Sequence, residues 1–269
     1  MKRNAAVAGQ FYPGQKKSLI SMISNMVTSD KEKKKSICII SPHAGYIYSG
    51  KVAAEVFSTS YLPDCFVILG PNHTGFGSFF SVMTDGIWET PLGQIQINRE
   101  LSELIMKNCE FAEDDIVAHK WEHSIEVQLP FIQYFKTDFS IVPICIQMNS
   151  YEKLNEFGKN LAKAIKLFNR ESLIIASTDM SHYVTQKIAE KKDHMAVEKI
   201  INLDPKGLYE TVKKENISMC GIAPVTVALS TSIELGANFA ELVKYATSGE
   251  VSGDFDQVVG YAGIRISKG

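Results

Sequence analysis

Ile37-Cys-Ile-Ile40 runs without a break into Ser41-Pro-His-Ala-Gly-Tyr-Ile-Tyr-Ser-Gly50, and this stretch decides how the chain is read. Its first four residues are uninterruptedly apolar and mostly β-branched, the pattern of a strand buried on both faces of a parallel sheet. His43 then falls at the carboxyl end of that strand. In open α/β sheets ligands bind in the crevice beyond the carboxyl ends of the strands, so a histidine delivered there is a candidate site residue.

Working outward, Cys65-Phe-Val-Ile-Leu69 reads as a second buried strand, ending in the loop Gly70-Pro-Asn-His-Thr-Gly-Phe-Gly77. Its three glycines permit tight turns around His73. Residues 140–146 make another buried strand. Leu173-Ile-Ile-Ala176 makes the next and runs straight into Ser177-Thr-Asp-Met-Ser-His-Tyr183. Helices are expected near 15–28, 51–57, 99–107, 185–202, 205–214 and 221–235, with Leu154, Phe157, Leu161, Ile165 and Phe168 repeating at helical spacing between two of the strands. Residues 79–83 and 94–97 read as a paired antiparallel excursion around Pro91-Leu-Gly93, and two strands near 241–246 and 257–266 close the chain. Strand and helix alternate from residue 37 to about 180. This predicts an α/β fold, a central mostly parallel sheet flanked by helices on both faces. No linker-like tract divides the chain, so residues 1–269 are expected to form a single domain.

Composition narrows the function classes. Hydrophobic residues at 45% and charged residues at 22% are ordinary globular values, and a formal net charge of -2 gives no reason to expect nucleic acid or an anionic membrane as partner. The run Lys31-Glu-Lys-Lys-Lys35 reads as a solvated turn. The apolar run after Met1-Lys-Arg-Asn is too short for a signal-peptide core. No segment approaches the roughly 20 apolar residues that span a bilayer, so a cytoplasmic protein is expected. Five cysteines without paired spacing argue against a disulfide framework. Cys38, Cys65 and Cys145 lie in apolar strand-like runs and read as core residues, while Cys109 closes a helical pattern. Cys220 stands at the start of an apolar helix, where a thiol's pKa is expected to fall and the thiolate to become a usable ligand.

Three strand ends therefore bring His43, His73 and the pair Asp179 and His182 to one rim. Clustering titratable side chains is costly to a fold unless they hold a metal or do chemistry. Neutral imidazoles favour iron, copper, zinc or nickel. Spacing leaves the third ligand open between Asp179 and Cys220. A second pattern, His119-Lys-Trp-Glu122-His123, fits the H-x-x-E-H signature of a zinc peptidase group. The helix there should start near Glu122 or His123, leaving His119 outside it, so Glu126 and His123 read better as crevice-lining or bracing residues. Trp121 and Phe131 read as core.

Taken together, Ala8-Gly-Gln-Phe-Tyr-Pro13, Pro42-His-Ala-Gly-Tyr-Ile-Tyr48, Gly70-Pro-Asn-His-Thr74, Glu122-His-Ser-Ile-Glu-Val-Gln-Leu-Pro-Phe131, Ser177-Thr-Asp-Met-Ser-His-Tyr183 and Met219-Cys-Gly221 resemble the Memo family over essentially the whole chain. The resemblance implies a fold like that of the class III extradiol dioxygenases, with one deep pocket at the strand ends. It implies His43, His73 and Cys220 as ligands to one transition metal ion, iron leading and copper also considered. In the dioxygenases a carboxylate takes the position of Cys220; a thiolate donates more charge and alters the metal's redox behaviour. By the same resemblance Asp179 and His182 line the pocket, with His182 placed as general acid or base, and His123 and Glu126 line it from a second motif. Phe11 stands where eukaryotic members tend to carry tryptophan. Three functional readings follow. The first is a non-haem metal protein with an oxidoreductase-type site. The second is a peptide- or phosphotyrosine-binding module in which Phe11, Tyr48 and His182 set affinity, as eukaryotic relatives are held to act. The third is a zinc peptidase at Glu122. Microbial members of the family also suggest a radical-SAM protein as partner.

Overall fold

The computed structural model describes residues 1–27 and 32–269. Lys31 of the basic run lies outside the described residues; 32–35 are exposed, as a solvated turn requires. A single sheet of 12 strands organises them. Its centre is parallel, in the order Gly93–Ile97, Ser140–Ile146, Cys65–Pro71, Leu173–Ser177, Cys38–Ser41. Antiparallel pairs close one side, where Val258–Ser267 lies against Cys38–Ser41 and is itself flanked by Phe239–Thr247 and His182–Val184.

Successive residues of the central strands feed two different cores, because side chains alternate across a sheet. Cys38, Ile40, Val67, Leu69, Ile144, Ile174 and Ala176 pack on one face beneath helices that include Tyr151–Phe168, Gln186–Ile201, Pro205–Lys214 and Ile222–Glu234. Ile39, Phe66, Ile68, Ile141, Leu173 and Ile175 pack on the other, beneath Lys16–Ser24, Tyr46–Ser58 and Leu129–Phe135. A strand covered on both faces has no need of polar alternation, which is why these runs read as continuous apolar sequence. The expected α/β architecture is the one observed. No described helix is long and apolar enough to cross a membrane.

Three local expectations change. Residues 79–83 and 94–97 do not pair with each other: Phe80–Val82 joins Ser140–Ile146, and the hairpin partner of Gly93–Ile97 is Ile87–Thr90. The overlooked strand carries Trp88, fully buried, and alternates half-buried with buried residues in the way an outer strand should. The helix expected at 51–57 begins at Tyr46 and runs through Gly50. A helical glycine costs about 1 kcal/mol relative to alanine; here the sulfur of Met26 occupies the space a Cβ would need, 2.6 Å from its ideal position. Trp121 is not core but 61% exposed, and lines a cavity of about 560 Å³ with Val117, Lys120 and the 1–6 segment. Phe131 is buried as expected, stacked on Phe57 and Tyr46.

Candidate metal centre

The Cys65–Pro71, Leu173–Ser177 and Cys38–Ser41 strands are neighbours and parallel, so their carboxyl ends open side by side. Each continues into a loop that carries a site residue. Beyond Ser41 come Pro42 and His43. Beyond Pro71 comes His73, in a turn built on Asn72, whose Oδ1 accepts from the backbone N–H of Thr74 at 3.1 Å and of Gly75 at 3.0 Å. Beyond Ser177 comes Asp179, whose Oδ1 accepts the His43 backbone N–H at 2.8 Å and so ties two strand ends together.

The loop leading to His182 is pinned to the C-terminal strand by Met180 N–H to Gly260 O at 2.8 Å and Gly260 N–H to Ser181 O at 2.9 Å. Buried Asp193 braces it further, accepting Ser181 N–H at 2.9 Å and the Tyr245 hydroxyl at 2.7 Å. His182 Nδ1 lies 2.9 Å from Ser218 O. A carbonyl only accepts, so that nitrogen carries the proton in the neutral ring and Nε2 keeps its lone pair.

Two groups arrive from segments that follow no strand of the parallel core. His123 sits in the irregular stretch before the short turn Glu126–Gln128, and Gly70 lets that stretch close over the strand end: a Cβ on Gly70 would lie 2.4 Å from Ser124 Oγ. Cys220 precedes the helix Ile222–Glu234, and Gly221 is what allows its approach. A Cβ there would fall 2.4 Å from Thr178 Cβ and 2.5 Å from Ser177 O.

The resulting group is compact. One ligand atom from each of His43, His73 and His123 lies within 4.8 Å of the others. The His43 ring stands 5.2 Å from that of His73 at 69°. His73 and His123 are instead nearly parallel, 4.7 Å apart at 13°. Cys220 Sγ lies 3.2 Å from His43 Nε2 and accepts the Asp179 backbone N–H at 3.2 Å. Phe11 packs on His123 at 5.0 Å, and Tyr48 is exposed on the first turn of the helix after His43.

Burial sets the charge. It drives the His43 pKa well below the usual imidazole value, with the neighbouring His73, His123 and His182 acting in the same direction. Surrounding protein lowers His73 to about 4, helped by His123 and His182, although the residue as a whole is solvent-exposed. His123 is lowered too, again chiefly by burial. The three rings are thus neutral near pH 7, each with a lone pair to give. The Cys220 thiol, expected to be acidified, is pushed up to about 12, because burial and the Asp179 carboxylate outweigh the hydrogen bond from the Asp179 N–H. Asp179 itself is raised to about 6, by burial first.

Two residues of the second motif do other work. Glu126 is buried and fully engaged: it pairs with Arg3 and accepts Ala6 N–H at 2.7 Å, Val7 N–H at 3.0 Å and the Tyr12 hydroxyl at 2.6 Å. Of the two expectations for it, crevice-lining or bracing, these contacts are those of a brace: Glu126 anchors the N-terminal segment. Glu122 accepts from the Ser124 hydroxyl at 2.6 Å and from the backbone of Ile125 and Glu126, capping a turn. His119, at 0% exposure, places Nε2 3.2 Å from Ser81 O and Nδ1 3.5 Å from Cys145 Sγ. His119 lies in the 3-10 turn Val117–His119 and α-helix begins only at Leu129, so no helix face carries both histidines of the peptidase pattern.

An α/β protein with three neutral imidazoles gathered at its strand ends, and a thiol beside one of them, has a group that could hold a metal ion. Sequence comparison gives its family. The family described as Memo-like protein matches residues 3–265, and the chain belongs to it. A MEMO1 family protein of Methanopyrus kandleri is 43% identical, with 100% of both chains covered. One of Methanosarcina barkeri is 44% identical over 98% of this chain and 99% of its own. The Aquifex aeolicus MEMO1 family protein is 43% identical over 97% and 98%. Among solved structures, an uncharacterized protein of Escherichia coli K12 shares the fold, with a TM-score of 0.54 at 13% identity over 83% of this chain and 98% of that one.

Proposed function

We propose that the cluster at the strand ends binds one transition metal ion, iron foremost, through His43, His73 and Cys220, and that it is an oxidoreductase-type site. The observations that carry this reading are two neutral, mutually inclined imidazoles and a sulfur beside the first of them. The ligand atoms that all lie within 4.8 Å of one another are those of His43, His73 and His123, and Cys220 would join them through its contact with His43. Donors that grip one ion at about 2.0–2.3 Å stand roughly 3–4 Å apart, and Cys220 Sγ is 3.2 Å from His43 Nε2. A thiolate among imidazoles suits iron, copper or zinc. Bound iron or copper would supply redox chemistry that no side chain here provides.

His123 is the competing third ligand, favoured by its place in the three-imidazole group. His73 and His123 lie nearly parallel, 4.7 Å apart at 13°. His123 is set beside the ion in this reading, with Phe11 packed on it, and the variants below decide between it and Cys220. Asp179 acts as a positioning residue through the His43 backbone. His182, with Nδ1 committed to Ser218 and Nε2 free, can accept or return a proton at Nε2.

Protein purified without oxygen is expected to hold about one metal ion per chain. Cys220→Ala should lose most of it and His123→Ala should keep it. Unchanged metal in Cys220→Ala, or its loss in His123→Ala, overturns the ligand set. Capture of a phosphotyrosine-like group is the second reading; phosphate recognition draws on cations, and these imidazoles are held neutral.

A further inference from the structure

We infer that Ser177 and Gln128 are positioning residues that hold neutral His43 in a single tautomer, with the proton on Nδ1 and a bare lone pair on Nε2. The consequence for metal binding rests on the function proposed above; the geometry does not.

The proton positions follow one at a time. Gln128 Nε2 lies 2.9 Å from Pro42 O and 2.9 Å from Ser177 Oγ. A carbonyl cannot donate, so the amide nitrogen must be on that side, giving one proton to Pro42 and the other to Ser177. Ser177 Oγ lies 2.7 Å from Ser124 O, again an acceptor only, so the single hydroxyl proton goes there. One contact of Ser177 Oγ is left, with His43 Nδ1 at 2.8 Å. Neither hydroxyl nor amide has a further proton to place in it, so the imidazole must donate. His43 Nε2 is then unprotonated and faces Cys220 Sγ.

All five residues of this network are buried, and among the described residues Gln128 Oε1 has no partner. A glutamine that merely filled space could be exchanged for an apolar side chain of the same shape at little cost. Keeping one with a stranded oxygen is intelligible if its amide protons are what the site needs. Outer partners that orient a ligating histidine typically change metal affinity about 10–100-fold when removed.

The test uses metal-free, 15N-labelled full-length protein and long-range 1H–15N correlation of its imidazoles, with His43 assigned by the signal missing in His43→Gln. The expected spectrum shows Nδ1 protonated and Nε2 bare. Ser177→Ala should give a tautomer mixture or the Nε2–H form, and Ser177→Thr should restore the original. Gln128→Met, which removes the donor but keeps the length, should behave like Ser177→Ala and serves if that variant fails to fold. In parallel, cobalt(II) titration should weaken about 10–100-fold in Ser177→Ala and recover in Ser177→Thr. Wild-type His43 protonated at Nε2, or a tautomer unmoved by either variant, overturns the inference. Wild-type protein that binds no cobalt(II) sinks the proposed metal site, while the tautomer in the same sample still decides this one.

Discussion

Both ring nitrogens of His119 are occupied, and burial lowers its pKa to about 4 from the usual 6.5. The unfolded chain therefore binds a proton here more readily than the folded one. The contribution is fully present above pH 6.5 and is lost as pH falls towards 4, on the order of 3 kcal/mol if the whole shift were realised. Urea unfolding of wild type and His119→Gln at pH 7 and pH 4.5 should show a steeper loss on acidification in wild type; equal slopes would mean that the ring is not held neutral. At the same scale, Gly221→Ala should displace the cysteine beside it, since the new Cβ would overlap Thr178 Cβ at 2.4 Å and the Ser177 carbonyl oxygen at 2.5 Å, well inside van der Waals contact. Metal retention should drop as in Cys220→Ala, while circular dichroism reports a folded chain. Retained metal would show that the loop has another way to approach.

Elements are held to the sheet by a few committed contacts, the clearest being the N-terminal segment. Arg3 and Glu126 form a buried pair, with Arg3 also stacked 4.2 Å from the Trp88 ring centre and bonded to His119 O at 3.0 Å. Removing one charge of such a pair strands the other, a loss of about 3–5 kcal/mol. Glu126→Gln should lower stability by that order in denaturant titration and expose residues 1–12 to limited proteolysis; a change below 1 kcal/mol would mean the pair is not buried in solution. Sequence reading placed most elements because their signals are local: the period-3.6 stripe in Tyr151–Phe168 and the unbroken apolar runs of the central strands. It mispaired the excursion at 79–97 because Ile87–Thr90 is short and half polar, and it started the helix after His43 late because Gly50, a poor helix former, stands inside it.

The whole molecule is a two-sided sheet, and its stability is spread through both cores. Phe157, fully buried and stacked 4.3 Å from Phe80, reports on one of them: Phe157→Ala should cost about 3–5 kcal/mol without altering the metal-site spectra, because its packing is with the core of that face. Coincident loss of metal and stability at modest denaturant would instead show that rim and core unfold together. The local composition of Cys38–Ser41, Cys65–Pro71 and Leu173–Ser177 was enough to identify buried parallel strands, and with them the placing of His43, His73 and Asp179 on one rim, because a residue just past a strand end can go nowhere else. Only the tertiary structure decided which further groups join them. His123 and Cys220 come from segments whose approach depends on missing Cβ atoms at Gly70 and Gly221, and Glu126, sharing a motif with His123, turns away to bind Arg3. The proton on His43 depends on Ser177, Ser124 and Gln128 meeting across as many as 53 residues of chain. Periodicity records which way a side chain faces within its own element; it carries no information about which distant donor will be packed against it.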